Sequence, residues 1–222
     1  MNYALPVAVT ALAYLLGSIS FAVLVSRAMG LNDPRSYGSK NPGATNVLRS
    51  GSKAAAIATL LLDVLKGWLP VVLVQAFGAD YGLREGTAAA VGFAAFIGHL
   101  YPVFFRFQGG KGVATAAGVL IGFSPFLGLA TLATFGIVLF FSRYVSLASI
   151  AAAAFAPFYY LLGGGVVWQV DAFIGLAIFA ISAGLVWRHR ENITRLIKGQ
   201  ESRLGAKKQL AGTAANARQP KK

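Results

Sequence analysis

Cysteine is absent from the 222 residues, histidine occurs twice, and 7 acidic residues stand against 20 Lys plus Arg. Without cysteine there are no disulfides, thiolate zinc sites or thiol nucleophiles, and the redox compartment cannot be read. The two histidines, His99 and His189, have no carboxylate at metal-ligand spacing, and no serine occupies a GxSxG elbow. Charge of either sign is scarce. Charged residues make up 12% and hydrophobic residues 56%, whereas a soluble domain carries about 25% charge. A domain of about 150 to 300 residues leaves roughly a quarter to a third of its surface wet, so this much apolar side chain cannot be hidden inside the fold. Lipid is the missing solvent.

The sequence therefore predicts an all-α integral membrane protein with about seven transmembrane helices, at 4–25, 54–77, 87–105, 113–123, 125–141, 146–162 and 171–187. The fourth is short: a span needs about 20 apolar residues, so 113–123 reads as a half-helix or one arm of a re-entrant pair with the fifth. Met1 to Ser26 has no Lys or Arg, so no signal-peptide n-region is present and the first apolar segment is expected to stay. With the N-terminus outside and the C-terminus cytoplasmic, 18 of the 20 Lys and Arg fall on the cytoplasmic side, as the positive-inside rule requires. Fusing 113–141 into one helix would invert every later segment, and Pro125 also disfavours helical geometry at Ser124. Residues 1–198 read as one multi-pass membrane domain. Residues 199–222 read as a basic, disordered cytoplasmic tail drawn to anionic lipid. The net charge of +13 does not point to nucleic acid, because the cations lie between apolar runs rather than along a soluble face.

Three polar segments on the cytoplasmic side carry the candidate chemistry. In GSKNPGATNVLR, 38–49, a turn at Gly38, Pro42 and Gly43 exposes backbone N–H groups beside Ser39, Lys40 and Arg49. Asn41 lies within it, and Thr45 or Asn46 is expected to cap the helix carrying Arg49. In QGGKGVAT, 108–115, Gly109, Gly110 and Gly112 allow close backbone approach beside Lys111, just before a helix N-terminus that favours anions. It is not a Walker A loop, since Gly112 follows the lysine. In WRHRENITRLIKGQE, 187–201, His189, Asn192 and Arg195 share one helical face. Plain alternatives stand beside each: a positive-inside loop, a tight interhelical turn and a snorkelling exit helix. Ser146 and Ser149 are either pocket hydroxyls or small packing residues. Asp63 and Lys66, three apart within a span, read as a structural ion pair, and His99 as a hydrogen-bonded packing residue. No cofactor or metal is implied.

At these residues the chain resembles the PlsY family, bacterial acyl-phosphate:glycerol-3-phosphate acyltransferases. The matching stretches are GSISFAVLVSR (17–27), YGSKNPGATNVLR (37–49), GHLYPVFFRFQGGKGVAT (98–115), YVSLASI (144–150) and RHRENITRLIKGQE (188–201), in family order. The LysAsnPro reading of the first loop, and Ala148 where glycine is common, are small departures. Neither histidine opens the HxxxxD pattern of many other glycerolipid acyltransferases, because 104 is Phe and 194 is Thr.

The resemblance implies transfer of an acyl group from acyl-phosphate to the 1-hydroxyl of glycerol 3-phosphate, giving lysophosphatidic acid in phospholipid biosynthesis at the bacterial cell membrane, the inner membrane if Gram-negative. It implies catalytic roles for Ser39, Arg49, Lys111, His189 and Asn192. Substrate binding falls to Lys40, Asn41, Gly43, Thr45, Asn46, Gly109, Gly110, Gly112, Ser149 and Glu201. The expected partners are the two substrates, the bilayer and, transiently, a soluble enzyme that makes acyl-phosphate. An anion or organophosphate transporter is the competing reading, since broken helices with N-termini aimed at anions are a transporter device; a structural membrane scaffold is a third.

Overall fold

The computed structural model describes residues 3–205; the expected tail beyond 205 lies outside the described residues. Among the described residues the chain forms ten α-helices and no sheet: α1 (Ala4–Gly17), α2 (Phe21–Ala28), α3 (Ala44–Val47), α4 (Lys53–Phe77), α5 (Glu85–Leu100), α6 (Val113–Phe123), α7 (Pro125–Ser142), α8 (Val145–Leu162), α9 (Ala172–Arg188) and α10 (Arg190–Ile197). Four stretches are long and apolar enough to span a membrane singly: α4, Glu85–Phe105 containing α5, α7 and α8. The bent pairs α1–α2 and α9–α10, at 45° and 55°, each pass the same test together. With α6 as a shorter apolar helix, this is the all-helical membrane architecture that the hydropathy pattern predicts.

The break at Ser124-Pro125 forms as the proline demands. Ser124 is extended (φ −157°, ψ 125°), its hydroxyl accepts from Leu127 N–H at 3.4 Å, and Pro125 opens α7. Gly128 lets α7 fold back on α6, because a Cβ there would strike the Ile121 side chain. At about 1.5 Å per residue, the 11 residues of α6 cover roughly half of a 30 Å hydrocarbon core. It packs against α4 backbone to backbone: a Cβ at Gly67 would meet Thr115 O, and one at Gly118 would meet Val64 O. Small residues at such crossings are how apolar helices associate where no hydrophobic driving force separates helix from lipid.

The first span differs from expectation. Residues 4–25 read as one helix, but the chain bends at Ser18–Ser20. Ser18 Oγ donates back to Tyr14 O at 2.8 Å, and the buried Lys66 ammonium donates to Ile19 O at 2.7 Å, satisfying a carbonyl that the bend has freed. Serines are compatible with an apolar helix, and the partner sits 47 positions away, so hydropathy alone does not mark the bend. The interior is built on Val71, Val91, Phe96, Val119, Ile181 and Leu185, with a second cluster at Leu127, Tyr160 and Ile178. Large apolar side chains such as Leu61, Phe126, Phe155 and Phe179 are exposed on the outer surface, where lipid covers them.

Candidate active site

The connections 29–43, 101–112, 143–144 and 189–204 meet at one end of the bundle around an open cavity of about 2530 Å³. Its walls include Ser39, Lys40, Asn41, Gly43, Thr45, Asn46, Arg49, Gly109, Lys111, Gly112, Ser149, His189, Asn192 and Glu201. Of the residues expected from sequence, Gly110 alone stands behind the wall. Deeper, the cavity runs down between α4 and α7 past Leu60, Leu61, Ile121, Leu132 and Phe135, and Leu60, Leu61 and Leu132 are exposed to the outside of the bundle. It is cationic at its mouth and apolar, open sideways, in its depth.

The first loop is organised by Asn46. Its buried amide accepts from Ser39 N–H at 3.0 Å and donates to Pro34 O at 2.6 Å and Tyr37 O at 3.2 Å. Gly38 takes a positive φ of 60°, and a Cβ there would fall on Asn46 Oδ1 and 3.1 Å from Arg49 Cδ. The capping expectation is corrected: α3 begins after an extended Gly43 with no side-chain cap, Thr45 and Asn46 lie inside it, and Arg49 sits in the following 3-10 turn, Leu48–Ser50. Asn46 is drawn back to the loop because three loop groups need it. Ser39, Lys40 and Arg49 remain exposed on the loop's surface.

The glycine loop is clamped by a residue that the sequence reading did not single out. The Arg188 guanidinium donates to Gly109 O at 3.0 Å and to Gly110 O at 3.0 and 3.2 Å, while Gly110 N–H donates to His99 O at 3.1 Å. With these carbonyls turned to Arg188, the N–H groups of Gly109, Lys111 and Gly112 have no acceptor among the described residues. Gly112 has φ 85° and leads directly into α6, whose first N–H groups are likewise unpaired, as at any helix start. The result is a cluster of donors beside Lys111, suited to an anion. Arg188 adjoins His189 in the basic run RHR, which was the available signal; its target, a pair of carbonyls 78 and 79 positions away, was not visible.

Lys111, Asn192 and Glu201 form a chain of contacts. Lys111 Nζ donates to Asn192 Oδ1; Asn192 Nδ2 donates to Glu201 Oε1 at 2.7 Å; and Glu201 also accepts from Ser146 Oγ at 2.8 Å and Arg195 Nε at 2.7 Å. Burial pushes the Lys111 ammonium down to about 8, with the Glu201 charge acting the other way. Burial works to raise the Glu201 carboxyl, but its bonds from Asn192, Arg195 and Ser146 hold it below the usual range. Burial also lowers His189 to about 4, against its bond to Leu185 O and together with the Lys111 charge. That bond, Nδ1 to Leu185 O at 2.8 Å, assigns the proton of neutral His189 to Nδ1, because a carbonyl only accepts. Nε2 keeps a lone pair on a side chain that lines the cavity. Of the two serines, Ser146 joins the Glu201 network, whereas Ser149 Oγ donates to Val145 O of its own helix at 2.8 Å.

Residues 200–204, expected to start the tail, return to the bundle: Leu204 N–H donates to Arg143 O at 2.7 Å, and the Arg203 guanidinium lies over the Tyr144 ring at 5.4 Å. Among the described residues no group of three His, Asp or Glu is placed to hold a metal.

The glycerol-3-phosphate acyltransferase family model matches residues 7–199. Similar proteins of that name include those of Albidiferax ferrireducens, 66% identical over 91% of this chain and 90% of the relative, and Paraburkholderia phytofirmans, 61% identical over 93% and 94%. A crystal structure of PlsY, an integral membrane glycerol 3-phosphate acyltransferase in its glycerol 3-phosphate form, superposes with a TM-score of 0.82 at 39% identity, covering 90% of this chain and 96% of that one. The same enzyme's lysophosphatidic acid form gives a TM-score of 0.80 at 38% identity over 90% and 95%.

Proposed function

The chain belongs to the glycerol-3-phosphate acyltransferase family of integral membrane enzymes, and from that premise we propose that acyl-phosphate is its donor, the 1-hydroxyl of glycerol 3-phosphate its acceptor, and lysophosphatidic acid and phosphate its products. The observation that carries the donor is the glycine loop: unpaired N–H groups of Gly109, Lys111 and Gly112, with the Gly109 and Gly110 carbonyls withdrawn by Arg188, beside a lysine. Such a cradle fits a compact phosphate. The facing loop presents Ser39, Lys40, Thr45 and Arg49 to the second phosphate. Gly43 and Asn41 shape that wall and Asn46 holds it.

Acyl-phosphate is a mixed anhydride, so no covalent enzyme intermediate is needed. The acceptor oxygen attacks the acyl carbon, the ester bond forms as the carbon–oxygen bond to phosphate breaks, and phosphate leaves with the electron pair. Fixing two anionic reactants side by side and countering their charge with Lys111 and Arg49 accounts for the rate. His189 Nε2 accepts the hydrogen bond of the attacking hydroxyl. Its low basicity makes it an orienting group, so the proton ends on the departing phosphate, whose newly freed oxygen, carrying the electron pair of the broken bond, is far more basic than the imidazole. Asn192, steadied by Glu201, keeps the Lys111 ammonium aimed at the donor, and Ser149 contributes a small wall beneath it. No cofactor takes part. The cation distribution supports a cytoplasmic mouth in a bacterial cell membrane, the inner one in a Gram-negative cell. There the donor would be handed over by the soluble enzyme that makes it.

The test uses purified protein with radiolabelled glycerol 3-phosphate and long-chain acyl-phosphate. Lysophosphatidic acid and phosphate should appear in equal amounts, with none when acyl-CoA replaces the donor. Turnover with acyl-CoA alone would overturn the donor assignment, and uptake of glycerol 3-phosphate into proteoliposomes without acylation would restore the transport reading.

A further inference from the structure

Beneath the glycine loop, three ionisable side chains that the acyl transfer does not use are buried together: Asp63 and Lys66 on α4, each 2% exposed, and His99 near the end of α5, 8% exposed. Charges at this depth are expensive, and a buried pair is often no more stabilising than apolar residues of the same volume. The contacts of the three show what they hold in place.

Lys66 Nζ lies 2.8 Å from Asp63 Oδ1, off the direction of a well-formed hydrogen bond, and donates to Ile19 O at 2.7 Å in the α1–α2 bend. Asp63 Oδ1 stands 3.6 Å from His99 Nδ1, which also meets Thr115 Oγ1 at 3.2 Å. The opposite corner of the ring, Nε2, rests against Gly110 so closely that a Cβ on that glycine would land on it, and the same Cβ would come within 2.9 Å of Pro42 O in the first loop. The His99 carbonyl accepts from Gly110 N–H. His99 thus meets the glycine loop with both ring and backbone, at the one glycine that is absent from the cavity wall, where the two substrate-binding loops touch. Asp63 and Thr115 set the ring's angle, and Lys66 ties Asp63 to the bend.

We propose that His99, oriented by Asp63 and Thr115, is a positioning residue that sets the height of the glycine loop against the first loop, and so the distance between donor phosphate and acceptor hydroxyl. This rests on the glycine loop being the donor cradle. A misplacement of about 1 Å can cost about a hundredfold in rate, so removing the ring should disturb chemistry well before it disturbs the fold.

The experiment measures kcat and KM for both substrates in His99→Ala, His99→Gln and His99→Asn, with thermal unfolding of each in detergent. The Gln amide reaches the Nε2 position next to Gly110, whereas the Asn amide reaches only the Nδ1 position. His99→Ala and His99→Asn should lose about ten- to hundredfold in kcat/KM for acyl-phosphate, with the glycerol 3-phosphate KM within about twofold of wild type. His99→Gln should recover most of the loss. Equal behaviour of Gln and Asn, or equal rises in both KM values, would overturn the proposal. If His99→Ala fails to fold, the Gln–Asn contrast still decides. Absent wild-type turnover with acyl-phosphate would defeat the donor reading, and this inference with it; ordinary wild-type turnover with an unaltered His99→Asn defeats this inference alone.

Discussion

The partly buried Lys111 ammonium, lowered to about 8, should write itself into the pH profile. If its charge binds the donor, kcat/KM for acyl-phosphate follows the protonated fraction of the free enzyme. That fraction is about 90% at pH 7, half at pH 8 and about 10% at pH 9, so the parameter should fall about tenfold between pH 7 and 9. Substrate phosphates are half ionised near pH 6 and about nine-tenths ionised by pH 7, and His189 titrates near 4, so neither produces a fall between pH 7 and 9. Bound phosphate stabilises the ammonium, so the limb in kcat should lie at higher pH than the limb in kcat/KM. Lys111→Arg, whose guanidinium stays charged above about pH 12, should start lower because its planar fork does not match one ammonium, yet stay flat to pH 10. Glu201→Gln removes the charge that supports the ammonium and should move the wild-type limb to lower pH. Steady-state assays with saturating glycerol 3-phosphate read all four profiles. A wild-type kcat/KM level to pH 10, or an unchanged limb in Lys111→Arg, would refute the assignment.

Other perturbations separate the remaining parts of the site. Arg188→Ala releases the Gly109 and Gly110 carbonyls; at about 1.5–3 kcal/mol per charged hydrogen bond, donor kcat/KM should drop at least about tenfold with the acceptor KM little changed, which initial-rate kinetics will show. Asn46→Ala strips three hydrogen bonds from the first loop and should cost about 1–3 kcal/mol, lowering the unfolding midpoint and raising the glycerol 3-phosphate KM more than that of the donor. His189 is held near 4 when folded, against about 6.5 unfolded. Between those values the unfolded chain binds the extra proton, so stability should fall as pH drops from 6.5 to 4, by up to about 3 kcal/mol. A His189→Asn variant should show a shallower acid decline in detergent unfolding.

The spans, the Ser124-Pro125 break and the convergence of three polar segments were legible because each is a local pattern: a run of apolar residues, a proline, a cluster of glycines and cations. What was not legible depends on partners far along the chain. The α1–α2 bend is marked only by serines until Lys66 is seen filling its open carbonyl. Asn46 reads as a cap until three groups of its own loop claim its amide. Arg188 reads as one more membrane-edge cation until its fork closes on two carbonyls. Ser146, not Ser149, joins the Glu201 network because helix rotation decides it, and that rotation is set by packing.

The sideways opening between α4 and α7 has a consequence for how greasy molecules come and go. Bringing a 16-carbon tail through water would expose its methylenes at about 0.8 kcal/mol each, a barrier on the order of 12 kcal/mol. On the proposed reaction, a doorway flanked by Leu61 and Leu132 would let such a tail slide in from the surrounding oil while only its head reached the wet rim, and would let the acylated product drift away by the same route.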